Sequence, residues 1–95
     1  MKKFIQLIDL FLLSEIDYDQ FYSSFNDLYF GQSHIEENKQ LRREESEFLD
    51  EINEEMFFAA KDPNNEDKQK YNYIDQNQFS KWLKHTKEKN IKFWE

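Results

Sequence analysis

The stretch Glu44-Glu-Ser-Glu-Phe-Leu-Asp-Glu-Ile-Asn-Glu-Glu-Met-Phe-Phe-Ala59 decides how this chain is read. Its apolar residues Phe48, Leu49, Ile52, Met56 and Ala59 recur at spacings of three and four, the period of one helix face. Leu41 extends that stripe upstream. The acids fall elsewhere on the same helix. Glu44, Glu47, Glu51, Glu54 and Glu55 share one side, and Glu47, Glu51 and Glu55 stand at i, i+4 and i+8. Like charges at that spacing repel by about 0.2–0.5 kcal/mol per pair. Lys39, Arg42 and Arg43 offset the acid only at the start of the run. The acid then continues past the helix, through Asp62, Glu66 and Asp67.

Helix periodicity extends in both directions from this segment. The same helix is expected from about His34 to Lys61. Ser33 and Glu36 form a capping box at its start, and Pro63 disfavours helix at Asp62. Upstream, Asp17 and Gln20 form another capping box. It opens a helix that runs to about Phe30, with Tyr18, Phe21, Tyr22, Phe25, Leu28 and Tyr29 on one face. Gly31 is its natural stop. The first helix, Lys2 to Leu13, has a polar stripe of only Lys2, Gln6 and Asp9, so it is expected to be central. Downstream, Asp75 and Gln78 make a third box ahead of a helix to about Glu88, with Phe79, Trp82, Leu83 and Thr86 on one face. The tail Ile91–Trp94 is apolar enough to pack back. No stretch alternates with period two. The expectation is one all-α domain over residues 1–95, an antiparallel four-helix bundle with short connections.

Size and charge narrow the function. A chain of 95 residues builds one core and leaves no room for a deep substrate cleft as well. Twenty acids against 13 Lys and Arg give a net charge of -7, which opposes direct binding to nucleic acid or to anionic membranes. With no Cys there is neither a disulfide framework nor a thiolate zinc site. The start, Met1-Lys2-Lys3 before an apolar run, has a signal-peptide outline. Gln6 and Asp9 interrupt the run, no small-x-small site follows, and a buried helix in a cytoplasmic protein is expected instead. His34 and His85 have no companion at ligand spacing, and a single Gly cannot build a phosphate loop. No catalytic residues, metal or cofactor are expected.

Charge runs are usually solvated faces. Lys81, Lys84, Lys87 and Lys89 of the last helix could neutralise the acids within the fold. Phe57 and Phe58 point beyond that reading, because both project outside the core stripe and Phe58 lies within the acidic sector. An exposed aromatic ringed by charge is an interface anchor, unless the Ile91–Trp94 tail covers it.

Three segments resemble a known family. They are Ile8-Asp-Leu-Phe-Leu-Leu-Ser-Glu-Ile16 followed by Phe21 and Tyr29; Glu55-Met-Phe-Phe-Ala-Ala60 followed by an acidic loop with a Pro; and Tyr73-Ile-Asp75 opening the last helix. Together the chain resembles the colicin D-type immunity proteins. The resemblance implies a small four-helix bundle that inhibits a cognate bacterial toxin, typically a tRNA-cleaving nuclease, delivered as a bacteriocin or by cell contact. It further implies acids at the end of the third helix and in the next loop, set against the toxin's basic active site. The matching positions run from Lys61 to Asp67, and Lys61 stands where an acid is expected. The implied toxin-binding set is Asp62, Glu66 and Asp67, with Glu47, Glu51, Glu54, Glu55 and Phe58 extending it.

Two other readings stand beside it. One is a small helical adaptor that docks a protein through Phe57, Phe58 or the tail. The other is an acidic bundle that binds a divalent cation. The inhibitor reading expects a cationic nuclease domain as partner, a monomer when free, and a toxin gene beside its own.

Overall fold

Four α-helices, three of them opened by capping hydrogen bonds, lie wholly within the described residues. They are α1, Lys2–Leu12; α2, Tyr18–Phe30; α3, Arg43–Phe57; and α4, Gln76–Lys89. A 3-10 turn over Ile91–Trp94 follows. The computed structural model describes residues 1–31, 39–59, 66 and 74–94. Among these there is no strand. Ala59 and Ile74 form an isolated parallel bridge, with the Ile74 N–H donating to the Phe58 carbonyl at 2.8 Å. The protein is an all-α four-helix bundle, as its periodicity indicates.

Two of the three expected capping boxes close as read. At α2 the Gln20 N–H donates to Asp17 Oδ1 at 2.8 Å, and the Asp17 N–H donates to Gln20 Oε1 at 3.1 Å. At α4 the Gln78 N–H donates to Asp75 Oδ1 at 2.8 Å, and the Asp75 N–H to Gln78 Oε1 at 2.9 Å. Each box satisfies two backbone donors that a helix start otherwise leaves orphaned. The third box, Ser33 with Glu36, lies outside the described residues, as does His34.

The long helix expected from His34 is a misreading. Gln40 is a turn, Arg42 is extended at φ -70 and ψ 159, and α3 starts afresh at Arg43. The Arg42 N–H donates to Glu45 Oε1 at 3.0 Å, and Glu44 and Glu45 occupy the first turn. Acids there complement the positive end of the helix dipole. The break escapes periodicity because Leu41 and Phe48 sit one heptad apart on either side of it. The short connections expected between α2 and α3 and between α3 and α4 lie largely outside the described residues.

The core is largely aromatic. Phe21, fully buried, lies 4.9 Å from Phe11 and 5.9 Å from both Phe25 and Phe79 between ring centroids. Phe48, Leu49, Ile52 and Met56 fill the α3 side, as the stripe predicts. Helix α1 packs against two of the other helices, α2 and α4, but is not enclosed all round. It buries Phe4, Leu7, Ile8 and Phe11 and leaves Leu10, and Leu13 just past its end, exposed. In a bundle of this size every helix keeps a solvent side, whatever its composition. Helix α1 ends where Ser14 takes φ 62, with the Glu15 N–H on the Leu10 carbonyl and the Ser14 N–H on that of Phe11. This is a Schellman cap with Ser in the place usually held by Gly.

The tail does pack back. Phe93 and Trp94 lie 5.3 and 5.9 Å from the Phe48 ring. The Trp94 indole N–H donates to Asp9 at 3.0 Å, and Lys87 Nζ reaches the same Asp9 oxygen at 2.7 Å. Closely packed pairs are α1 with α2, α1 with α4, and α3 with α4. The α2–α3 seam is looser. Side chains bridge it where the Tyr29 hydroxyl donates to Asp50 and the Tyr18 hydroxyl reaches the Met56 carbonyl at 3.5 Å.

Candidate protein interface

The acidic sector divides along α3. Its first half is answered by the chain itself. Arg43 Nε donates to Glu47 Oε1 at 3.1 Å, Arg42 lies 3.4 Å from Glu45, and Lys92 of the tail reaches Glu44 at 2.8 Å. Lys92 and its hydrogen bond hold the Glu44 carboxyl below the ordinary glutamate range. The expected neutralisation by α4 follows another route. Lys87 pairs with Asp9 of α1, and no ion pair joins Lys81, Lys84 or Lys89 to α3 among the described residues.

The second half of α3 lacks that compensation. Glu51 and Glu54 are exposed and Glu55 is partly buried. None of the three has an ion-pair partner among the described residues. Burial raises the Glu55 carboxyl above its ordinary range, and the neighbouring charges of Glu54 and Glu51 raise it further. The part of that shift owed to adjacent carboxylates reflects a local excess of negative potential.

The aromatic residues beside it stay open. Phe57 is 77% exposed and Phe58 41%. The tail that could have covered them lies instead against Phe48, toward the other end of α3. Beside Phe57 the loose α2–α3 seam widens into a cleft of about 470 Å³. Tyr18 and Met56 reach it from the core, and Tyr22, Asn26 and Phe30 line its α2 wall. Burial pushes the Tyr18 hydroxyl up to about 12, with Tyr22 and Asp19 adding to the shift. Tyr29, at the next bridge, is pushed to about 12 by burial and by its bond to Asp50. Both phenols therefore stay neutral at physiological pH.

Of the expected set, Glu47, Glu51, Glu54, Glu55 and Phe58 lie on or just past α3, and Glu66 is exposed. Asp62 and Asp67, with Lys61 and Pro63, lie outside the described residues. Glu47 differs from the others because it is already paired with Arg43. Sequence reasoning missed the α2 contribution. Tyr22 was expected on the core face and is 48% exposed on the cleft wall. The signal was present, since Tyr22, Asn26 and Phe30 recur at i, i+4 and i+8. It reads as a wall only once α3 is known to stand off from α2.

Among the described residues no group of three potential metal ligands occurs, and no helix is long and apolar enough to cross a membrane. Comparison with protein-family models, with curated proteins and with solved structures gives no match.

Proposed function

We propose that this chain is a stoichiometric inhibitor of a cationic nuclease toxin, the role implied by its resemblance to the colicin D-type immunity proteins. One observation carries the reading. The second half of α3 presents Glu51, Glu54 and Glu55 without cationic partners among the described residues, directly beside the exposed Phe57 and Phe58. A nuclease concentrates Lys, Arg and His to hold phosphates. A rigid acidic surface is steered to that field, occupies it and excludes the RNA. The aromatic rings supply the desolvated contact that charge alone does not. On this reading the chain works in the cytoplasm of the toxin-producing cell and needs no chemistry of its own. Asp62, Glu66 and Asp67 would extend the surface into the toxin's active site.

The reading is tested by co-expression with the C-terminal domain of the toxin encoded beside this gene. The two should co-purify at equal stoichiometry, and cells carrying both should survive. Changing Asp62, Glu66 and Asp67 together to Asn and Gln should abolish protection while the helical circular dichroism signal persists. If that variant still protects, the contact moves to Glu51, Glu54, Glu55 and Phe58. If no nuclease is encoded there and none is captured, the inhibitor reading fails, and the adaptor reading takes its place.

A further inference from the structure

We infer that the α2–α3 cleft is a docking groove for a basic segment of a partner protein, which inserts one large apolar side chain between Tyr22 and Phe57. The inference rests on reading the acidic half of α3 as the place where a cationic protein is met. It adds a second contact, beside the first and sharing Phe57 with it, in which an apolar side chain is buried.

The cleft has the construction of an anchor pocket. Its floor is apolar where Tyr18 and Met56 come out of the core. Its lips are aromatic side chains left largely in water: Tyr22 at 48%, Phe30 at 62% and Phe57 at 77% exposed. Two carboxamides, Asn26 of α2 and Asn53 of α3, also line it and can take up the backbone of an incoming segment. At about 470 Å³ the space suits one or two large side chains, not a folded domain. Contiguous apolar surface of this kind, rimmed by polar groups, marks an interaction site.

Charge selects the occupant. Glu54 lies one helical turn before Phe57 and Phe58, and neither it nor Glu51 has an ion-pair partner among the described residues. A segment whose apolar anchor is flanked by Lys or Arg would place its cations against these two acids. A second copy of this chain would not, because each copy carries a net charge of -7 and would set acid against acid. An anionic ligand is disfavoured on the same ground. Along α2 the stripe Tyr22, Asn26 and Phe30 spans about 12 Å, enough for two turns of an amphipathic helix laid in the groove.

The probe is a short fluorescein-labelled peptide of Lys and Leu with one central Trp, titrated into the full chain. Amide shifts in a nitrogen–proton correlation spectrum should cluster at Tyr22, Asn26, Asn53 and Phe57. The double variant Tyr22→Ser with Phe57→Ser should bind about tenfold or more weakly, and replacing the peptide's Trp by Ser should do the same. A peptide with Glu for Lys should not bind. Asn26→Lys, a surface change that fills the groove with a cation, should also abolish binding and guards against a folding defect in the double variant. Shifts confined to α1 or α4, or equal binding by parent and both variants, would overturn the proposal. So would a dimer in sedimentation that Phe57→Ser dissolves, since the groove would then hold a second copy. The two readings separate cleanly. Peptide binding at the cleft with no nuclease captured supports the groove and removes the nuclease. A nuclease that binds the parent and Asn26→Lys equally, while the peptide binds neither, removes the groove and keeps the inhibitor.

Discussion

The two halves of α3 have nearly the same composition and opposite surroundings. In the first half, Glu44 and Glu47 are answered by Lys92 and Arg43, and Phe48 is 2% exposed beneath Phe93 and Trp94. In the second, Glu51, Glu54 and Glu55 face one another, and Phe57 is 77% exposed. The difference lies not in the residues of α3 but in where the tail is held. Asp9 takes both the Trp94 indole N–H and the Lys87 ammonium, and this anchors the tail over the first half. An acid–aromatic helix is thus structural at one end and available for binding at the other.

The largest effect separates the two phenylalanines. Phe48→Ala should cost about 3–5 kcal/mol in chemical denaturation, because it empties a buried site under the tail. Phe57→Ala should fall within about 0.5 kcal/mol of the parent, as exposed substitutions do. A loss above ~1 kcal/mol at Phe57 would show that the second half is covered and would break the comparison.

Next in size is the latch. Asp9→Asn should destabilise by about 1–2 kcal/mol, since it removes the charge from two hydrogen bonds. The same change should expose the Trp94 indole and shift its fluorescence to the red. Unchanged fluorescence would mean that something other than Asp9 places the tail.

The charge contrast is sharpened by binding kinetics. With a cationic nuclease domain as partner, the triple change of Glu51, Glu54 and Glu55 to Gln should slow association about tenfold at low salt. Glu44→Gln with Glu47→Gln should slow it far less, because those acids are already paired. Equal effects from the two halves, measured by surface plasmon resonance, would erase the distinction.

The smallest effect is the pH dependence. Glu44 should titrate below, and Glu55 above, the ordinary glutamate range in carboxyl carbon NMR, in line with their surroundings. A raised carboxyl binds more protons folded than unfolded, so its unfavourable contribution is present above the folded pKa and vanishes as pH falls through it. Glu55→Gln should therefore stabilise the chain at pH 7 by about 0.2–0.5 kcal/mol per like-charge neighbour removed. The gain should disappear at pH values where the unfolded glutamate is itself protonated. A gain that persists in acid would assign the effect to packing instead of charge.

Sequence by itself determined the fold class, the caps of α2 and α4, and the core stripe of α3. These are local matters. A capping box closes within four residues, as Asp17 with Gln20 and Asp75 with Gln78 do, and a stripe needs only the helical period. It also determined that acid exceeds base on α3. Tertiary structure decided the rest. The break before Arg43 was hidden because Leu41 keeps the heptad of the helix it precedes. Which acids are answered depended on Lys92, which reaches Glu44 from 48 residues away, and on an Asp9–Trp94 bond across 85. The cleft depended on how far α2 stands from α3, a distance that no residue of either helix specifies alone. Periodicity reports which side of a helix is apolar. Only the packing of the other helices and the tail decides whether that side, or the one beside it, meets the protein or the solvent.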